Sequence, residues 1–193
     1  MIGIGPLTIF YWLAGIVMTG ALVFLGIVPW SDLEVAFWLF FVVPVLFTIA
    51  FSRLHFVRES VFQMNTFLAT AGSLMLLIAN VYFLGILFDY HPAYSLIPPQ
   101  SASLLVSVLY AIYEESLMLC IVVVFAAVGN AWLGIIFADL VFFGLHALRY
   151  PNTAYFDLFL LVGRSVMSGA LVATGNSDVP YTTHIVFNIL AGG

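Results

Sequence analysis

Two adjacent glutamates, Glu114 and Glu115, stand in the middle of a long apolar run. A charged side chain at the centre of a bilayer costs roughly 2.5–3.5 kcal/mol on insertion scales, so two such groups together require a reason. A carboxylate in an apolar pocket can act as a general base, but paired carboxylates can also hold helices together through hydrogen bonds. Taken alone, the pair is compatible with a reactive site or with a structural role.

A histidine on the next apolar run favours the reactive site. The Gly129–Asn130 turn makes the two runs an antiparallel hairpin, and Glu114 and His146 are each sixteen residues from Asn130. At equal rise per residue they lie at the same depth on neighbouring helices. We therefore expect a carboxylate and an imidazole that can share one water molecule.

Further polar side chains accompany these two residues at helical spacing. Phe142 and Asp139 lie one and two turns below His146 on one helix face. Asp139 either helps to orient the histidine or, more simply, has a structural role. His184 and Asn188 are four residues apart on the last run, and two donors on one face are typical of a patch that stabilises an anion.

The composition places these residues in a membrane protein. Hydrophobic residues make up 64% of the 193 residues and charged residues only 7%, with a mean hydropathy of +1.20. This balance predicts an all-α, polytopic integral membrane protein in lipid. Lysine is absent, and four arginines face nine acids. The chain therefore lacks the basic surface of a nucleic-acid-binding protein, the lysine of a Walker loop and any lysine Schiff base.

Polar, glycine and proline clusters divide the chain into about seven predicted membrane helices. No cleavable signal pattern precedes Trp30, so the first run is expected to remain as a helix. The last run is too short to cross a core of roughly 30 Å. We therefore expect the loop before it to dip inward as a re-entrant segment, which brings His184 to the depth of Glu114. The predicted helices are 6–28, 33–51, 61–88, 101–128, 131–148, 155–174 and 180–191.

The chain is predicted to form a single membrane domain, 1–193, located in the cell membrane as a multi-pass protein. The non-helical stretch Phe88–Gln100 separates an apolar scaffold, 1–100, from a half that carries the polar residues, 101–193. Arg53 and Arg58 form the densest positive cluster, which places the loop Ser52–Ser60 in the cytoplasm by the positive-inside rule. The only cysteine, Cys120, lies in an apolar run and is expected to be a small buried hydrophobe.

Three segments in order resemble the motifs of the CAAX prenyl endopeptidase and abortive-infection family of glutamate intramembrane proteases. The family motifs are EExxxR, FxxxH and HxxxN. Here they correspond to Glu114-Glu115, to Phe142 with His146, and to His184 with Asn188. The resemblance covers roughly residues 101–190. It implies that Glu114 and His146 activate a water molecule, that His184 and Asn188 stabilise the oxyanion, and that neither a cofactor nor a metal is required.

The sequence departs from this family at one position. The arginine that closes the first motif falls at position 119, which is Leu119. A buried glutamate pair needs a cation or a proton, so we predict that Arg164 pairs with Glu115. The alternative is that Arg164 pairs with Asp157, two turns earlier on its own helix.

By this resemblance, the substrate is a peptide or a lipidated peptide cleaved within the lipid bilayer. Two alternatives remain. Because of Leu119, the chain can be a catalytically inactive scaffold or an immunity-like binding protein. The same two histidines and one glutamate could also form a zinc site, although no HExxH pair is present.

Overall fold

The computed structural model describes residues 2–52, 64–88, 104–149 and 154–190. Within these ranges the fold is helical, apart from connecting turns and one isolated parallel bridge between Gly3 and Asn176. The all-α prediction is confirmed. The helices are α1 (Pro6–Phe24), α2 (Trp30–Ala36), a π-helical segment (Phe37–Val42), α3 (Val43–Phe51), α4 (Met64–Leu87), α5 (Leu104–Ala127), α6 (Ala131–Arg149), α7 (Ala154–Thr174) and α8 (Asp178–Leu190).

Five helical segments in the described residues are long and apolar enough to cross a membrane, fewer than the seven spans predicted. They are Pro6–Phe24, Trp30–Phe51, Met64–Leu87, Leu104–Ala127 and Ala131–Leu148. Helix α7 has 21 residues, of which Leu158–Thr174 have described side chains and form a shorter apolar stretch, and α8 has only 13 residues. A helical membrane protein is therefore supported by the five long segments in α1 to α6.

The first helix is shorter than predicted because glycine ends it. Gly26 has φ 67°, and its amide donates to Val23 O while the amide of Ile27 donates to Leu22 O. This is the hydrogen-bond pattern of a Schellman motif, which closes a helix one residue before a left-handed glycine. The predicted end at residue 28 was wrong for this reason, and the next helix begins at Trp30 rather than at 33.

A π-helical segment joins α2 and α3 into one continuous helical run. The amide of Val43 donates to Trp38 O, five residues back, just before Pro44. Proline has no amide hydrogen and its ring crowds the carbonyl four residues earlier. The wider π turn accommodates both effects without interrupting the helix.

A tight hairpin connects α5 and α6, as the sequence predicted. Gly129 adopts φ 93° after α5, and Asn130 Oδ1 accepts a hydrogen bond of 3.0 Å from the amide of Leu133. Glycine thus ends one helix and asparagine caps the next. Near this turn a Cβ on Gly134 would stand only 3.0 Å from Val122 Cα. The absent side chain therefore allows the two helices to approach closely.

Helix α5 is the centre of the structure. It packs against α1, α3, α6 and α8, and its buried face includes Glu115 and Leu119. Helix α4 packs against α7 and α8, and α7 also packs against α6. The polar residues of α5 consequently face four neighbouring helices rather than lipid.

The beginning of the chain closes on the turn between α7 and α8. Gly3 N–H donates to Gly175 O over 2.8 Å, and the amide of Thr8 donates to Asp178 Oδ1 over 2.7 Å. A carboxylate from the far end of the chain therefore caps the amino end of α1, where the free amides and the helix dipole favour an anion. Ser177 and Asp178 are fully buried. Irregular backbone at this position is thus enclosed by protein.

Several predictions fall on residues outside the described ranges. The loop Ser52–Ser60 beyond its first residue, with Arg53 and Arg58, and nearly all of Phe88–Gln100 are among them. The side chain of Asp157, the alternative partner for Arg164, is also outside the description. The membrane orientation therefore stays a prediction.

Candidate active site

Glu114 lies between two histidines from different helices. Its Oε1 is 3.7 Å from His146 Nε2 on α6, and its Oε2 is 3.7 Å from His184 Nε2 on α8. Both distances are longer than a direct hydrogen bond, and each pair is close enough for one water molecule at its side to contact both groups. The Glu114 side chain is 23% exposed, compared with 15% for His146 and 10% for His184. The three groups therefore form a partly accessible centre.

The matched spacing of Glu114 and His146 from Asn130 explains their meeting on α5 and α6. The position of His184 has another origin. Only the early start of α8, whose first residue Asp178 is buried beneath α1, brings this histidine to the middle of α5. The hairpin and the buried turn before α8 together position all three side chains.

The other ring nitrogen of each histidine has an acceptor. His146 Nδ1 is 2.9 Å from the carbonyl oxygen of Phe142, and His184 Nδ1 is 2.9 Å from Glu115 Oε1. A carbonyl oxygen only accepts hydrogen bonds, so the Nδ1 of His146 carries the hydrogen that it shares with Phe142. Both Nε2 atoms are thereby directed at Glu114, as the neutral tautomer with a lone pair or as the protonated ring.

Arg164 on α7 supplies the cation for the glutamate pair. Its Nη1 donates to Glu115 Oε1 over 2.6 Å, and both side chains are only 1% exposed. The structure thus contains the contact that the sequence analysis predicted. Arg164 Nε is also 3.5 Å from Asp139 Oδ1. The guanidinium therefore lies between two acids, one from α5 and one from α6.

Asp139 contacts α7 instead of the histidine above it. Ser168 Oγ donates to Asp139 Oδ1 over 2.6 Å, and Ser165 Oγ donates to Oδ2 over 3.3 Å. The alternative in which Asp139 orients His146 has no support from these contacts, since the described acceptor for His146 Nδ1 is the Phe142 carbonyl. Neither serine was predicted as a site residue from the sequence, although Ser168 lies one turn after Arg164 on the same helix face.

Phe142 is the apolar wall of the site. Its ring centroid is 4.2 Å from that of His146 and 6.2 Å from that of His184. Arg164 Cζ lies 5.7 Å from the same centroid, within the range of a cation–π contact. Arg164 Nε and Nη2 are buried without a hydrogen-bond acceptor in the described residues. In the described residues, the guanidinium is therefore stabilised on this side by the Phe142 ring and by the ion pair with Asp139.

A second hydrogen-bonded chain ties the site to α1. Tyr181 Oη lies 2.8 Å from Ser116 Oγ, and Trp12 Nε1–H donates to Tyr181 Oη over 2.8 Å. Ser116 directly follows Glu115, and Tyr181 precedes His184 by three residues on α8. These residues were not predicted as part of the site, because nothing local in the sequence relates Trp12 to Tyr181.

Asn188 is the predicted residue that the described geometry does not bring into the centre. It lies one turn beyond His184 on α8 and is partly exposed. The hydrogen bonds and ion pairs found between described residues of the site do not include it. In residues 2–52, 64–88, 104–149 and 154–190, no group of three or more His, Cys, Asp or Glu side chains has the arrangement of a metal site.

Comparison of the chain with protein-family models, with curated proteins and with solved structures found no match. The resemblance to the CAAX protease and abortive-infection family therefore rests on the three motif-like segments of the sequence. The function has to be argued from the contacts of Glu114, His146 and His184.

Proposed function

We propose that the protein is an intramembrane endopeptidase that uses a water molecule activated by Glu114. The observation that carries this proposal is the position of Glu114 between two histidine Nε2 atoms, each 3.7 Å from a different carboxylate oxygen. A general base must come within hydrogen-bond reach of the proton it takes, directly or through one water. Glu114 lies near the middle of α5, the most buried of the five long apolar segments, and its distance to both histidines supports this role.

In the proposed reaction, a water molecule at the side of the Glu114–His146 pair contacts both groups. Glu114 takes a proton from this water while the water oxygen bonds to the scissile carbonyl carbon. The carbonyl oxygen becomes an oxyanion, and protonated His184 donates a hydrogen bond to it through Nε2. When the intermediate collapses, the carbon–nitrogen bond breaks and Glu114 returns the proton to the leaving amine.

Asn188 is assigned the second oxyanion donor on the basis of the motif alone. One preorganised donor of this kind contributes on the order of 3 kcal/mol to lowering the barrier. Asn188 is on the same helix as His184 and partly exposed, so a bound substrate can reach its amide. Glu115, Arg164, Asp139 and Phe142 support the reacting groups.

We further propose a seven-segment arrangement in the cell membrane, with α7 and α8 completing the five longer spans and α8 as a re-entrant segment. The substrate is then a peptide or lipidated peptide within the bilayer. The exposure of Glu114, small but larger than that of either histidine, supports access from one side of the site.

The test uses the purified protein in lipid nanodiscs and a fluorogenic peptide library that contains prenylated and unmodified members. We expect cleavage that Glu114→Gln and His146→Gln abolish. Cleavage that persists unchanged in Glu114→Gln would exclude the proposed base. Loss of cleavage on treatment with a chelator, restored by zinc, would favour the zinc-dependent alternative.

A second candidate is a catalytically inactive scaffold or immunity-like binding protein. Leu119 favours it, because an apolar residue stands where the family motif has an arginine. In that case the polar residues serve to join α5, α6, α7 and α8. A parent protein that cleaves no library member, together with a Glu114→Gln variant that is clearly less stable, would support this candidate.

A further inference from the structure

Two neighbouring glutamates contact opposite nitrogens of one histidine. Glu115 Oε1 is 2.9 Å from His184 Nδ1, whereas Glu114 Oε2 is 3.7 Å from His184 Nε2. The first distance is that of a hydrogen bond and the second is longer than one. The two carboxylates therefore have different relations to the same ring, although they are adjacent in the sequence.

Glu115 is closed to water and substrate. Its side chain is 1% exposed, and its Oε1 already accepts hydrogen bonds from Arg164 over 2.6 Å and from His184 over 2.9 Å. Glu114, at 23% exposure, is open by comparison. A group enclosed in this way can orient a neighbour, but it cannot exchange protons with a reactant in the site.

We infer that Glu115 is a positioning residue that keeps the hydrogen of His184 on Nδ1. Nε2 is then the only ring atom that gains or loses a proton, and it does so on the side that faces Glu114. A carboxylate that fixes the tautomer of a histidine in this manner is a recurring arrangement in catalysis. The consequence for turnover rests on the proposed peptidase function, whereas the tautomer assignment does not.

The anchoring of Glu115 supports this role. Arg164 connects it to Asp139, which accepts hydrogen bonds from Ser165 and Ser168. Contacts from α6 and α7 thereby determine the orientation of a carboxylate on α5. Glu115 in turn determines the orientation of an imidazole on α8. Because every member of this chain is held by packed helices, the ring of His184 has little freedom to flip.

The first test is nitrogen NMR of the parent protein, labelled with ¹⁵N-histidine in nanodiscs. The His184 signals are assigned by their loss in His184→Gln. We expect Nδ1 to carry a hydrogen in both the neutral and the protonated ring, and Nε2 to change with pH. A neutral ring with its hydrogen on Nε2 would overturn the inference. This measurement requires no substrate, so it decides the assignment even for a protein without peptidase activity.

The second test compares two isosteric variants, Glu115→Gln and Glu114→Gln. We expect Glu115→Gln to reduce the Nδ1–H population of His184, because an amide can donate to the ring as well as accept. Glu114→Gln should leave that population unchanged. With a cleavable peptide, Glu115→Gln should lower kcat by at least about a hundredfold with little change in KM. An unaltered tautomer in folded Glu115→Gln would assign Glu115 to helix packing alone.

Discussion

Arg164 of α7 donates a hydrogen bond of 2.6 Å to Glu115 of α5, and the two side chains are equally buried at 1% exposure. The family motif that the sequence resembles has its arginine on the same helix as the glutamates, at the position of Leu119. Leu119 is 2% exposed and belongs to the apolar core. The cation that neutralises the glutamate therefore comes from a different helix.

Removing this cation should destabilise the protein strongly. In Arg164→Leu, the Glu115 carboxylate stays buried without its arginine and keeps only His184. Breaking a buried ion pair in this way typically costs about 3–5 kcal/mol. We expect a loss of this size in the free energy of unfolding, measured by denaturant titration in detergent micelles.

The matched control is the double variant Arg164→Leu with Glu115→Leu, which removes both charges. An apolar pair of similar volume is often neutral or stabilising compared with a buried ion pair. The double variant should therefore recover most of the lost stability. An Arg164→Leu variant as stable as the parent would show that the ion pair contributes little.

A new arginine on α5 should partly compensate for the loss of Arg164. Position 119 lies one turn after Glu115 on the same helix face, within reach of an arginine side chain. In the Arg164→Leu background, Leu119→Arg should restore at least about 1 kcal/mol of stability, because it supplies the missing charge. In the parent it should destabilise, since Glu115 is already paired with Arg164 and the new charge replaces a side chain of the apolar core. Equal effects in both backgrounds would contradict the proposed pairing.

The α5–α6 part of the site could be predicted from the sequence because it depends on local signals. Gly129 and Asn130 end one helix and begin the next. Glu114 and His146 are each sixteen residues from Asn130, so a constant rise per residue places them beside each other on the two helices. The need of a buried acid for a cation likewise identified Arg164, one of only four arginines.

The remaining features depend on contacts between distant parts of the chain. The bonds from Thr8 to Asp178 and from Trp12 to Tyr181 join residues about 170 positions apart, and no periodic pattern encodes such pairs. Asp139 was assigned from its helix face alone, but its partners Ser165 and Ser168 belong to the next helix. The carboxyl end of α1 was not predicted correctly, because it is set by Gly26, whose left-handed conformation is visible only in the structure.

Glu114 and Glu115 should differ in their effect on stability. Glu114 is 23% exposed and has no direct hydrogen bond to either histidine, at 3.7 Å from each. Glu114→Ala should therefore be at least as thermally stable as the parent in detergent, while cleavage is abolished. Functional groups are often retained at a cost in stability. Unfolding of Glu114→Ala at the parent's working temperature would make the glutamate structural.

His184→Ala should separate turnover from binding. The variant removes the Nε2 donor without altering Glu114 or His146. We expect kcat to fall by on the order of a hundredfold or more while peptide binding, measured by fluorescence anisotropy, persists. A variant that loses binding to the same degree as turnover would assign His184 to substrate recognition.

The junction between α1 and α8 should respond to a single methyl group at Gly5. The backbone of Gly5 has φ −80°, which any residue can adopt, so only space limits this position. A Cβ there would overlap the carboxylate of Asp178 and the amide oxygen of Asn176. These groups hold the turn that brings His184 to the level of Glu114. Gly5→Ala should therefore cost about 1–3 kcal/mol, the usual range for overpacking.

Gly20→Ala is the control for this variant, because it makes the same change within α1, the helix that Gly5 precedes. No atom lies within 4 Å of a Cβ at Gly20, which is exposed in the interior of α1. Alanine there should stabilise the helix by roughly 0.5–1 kcal/mol through its higher propensity. Thermal unfolding in detergent should shift in opposite directions for the two variants. In addition, only Gly5→Ala should weaken peptide cleavage, since displacing the start of α8 moves His184 away from Glu114. A Gly5→Ala variant with parental stability and cleavage would show that the turn before α8 can rearrange without affecting the site.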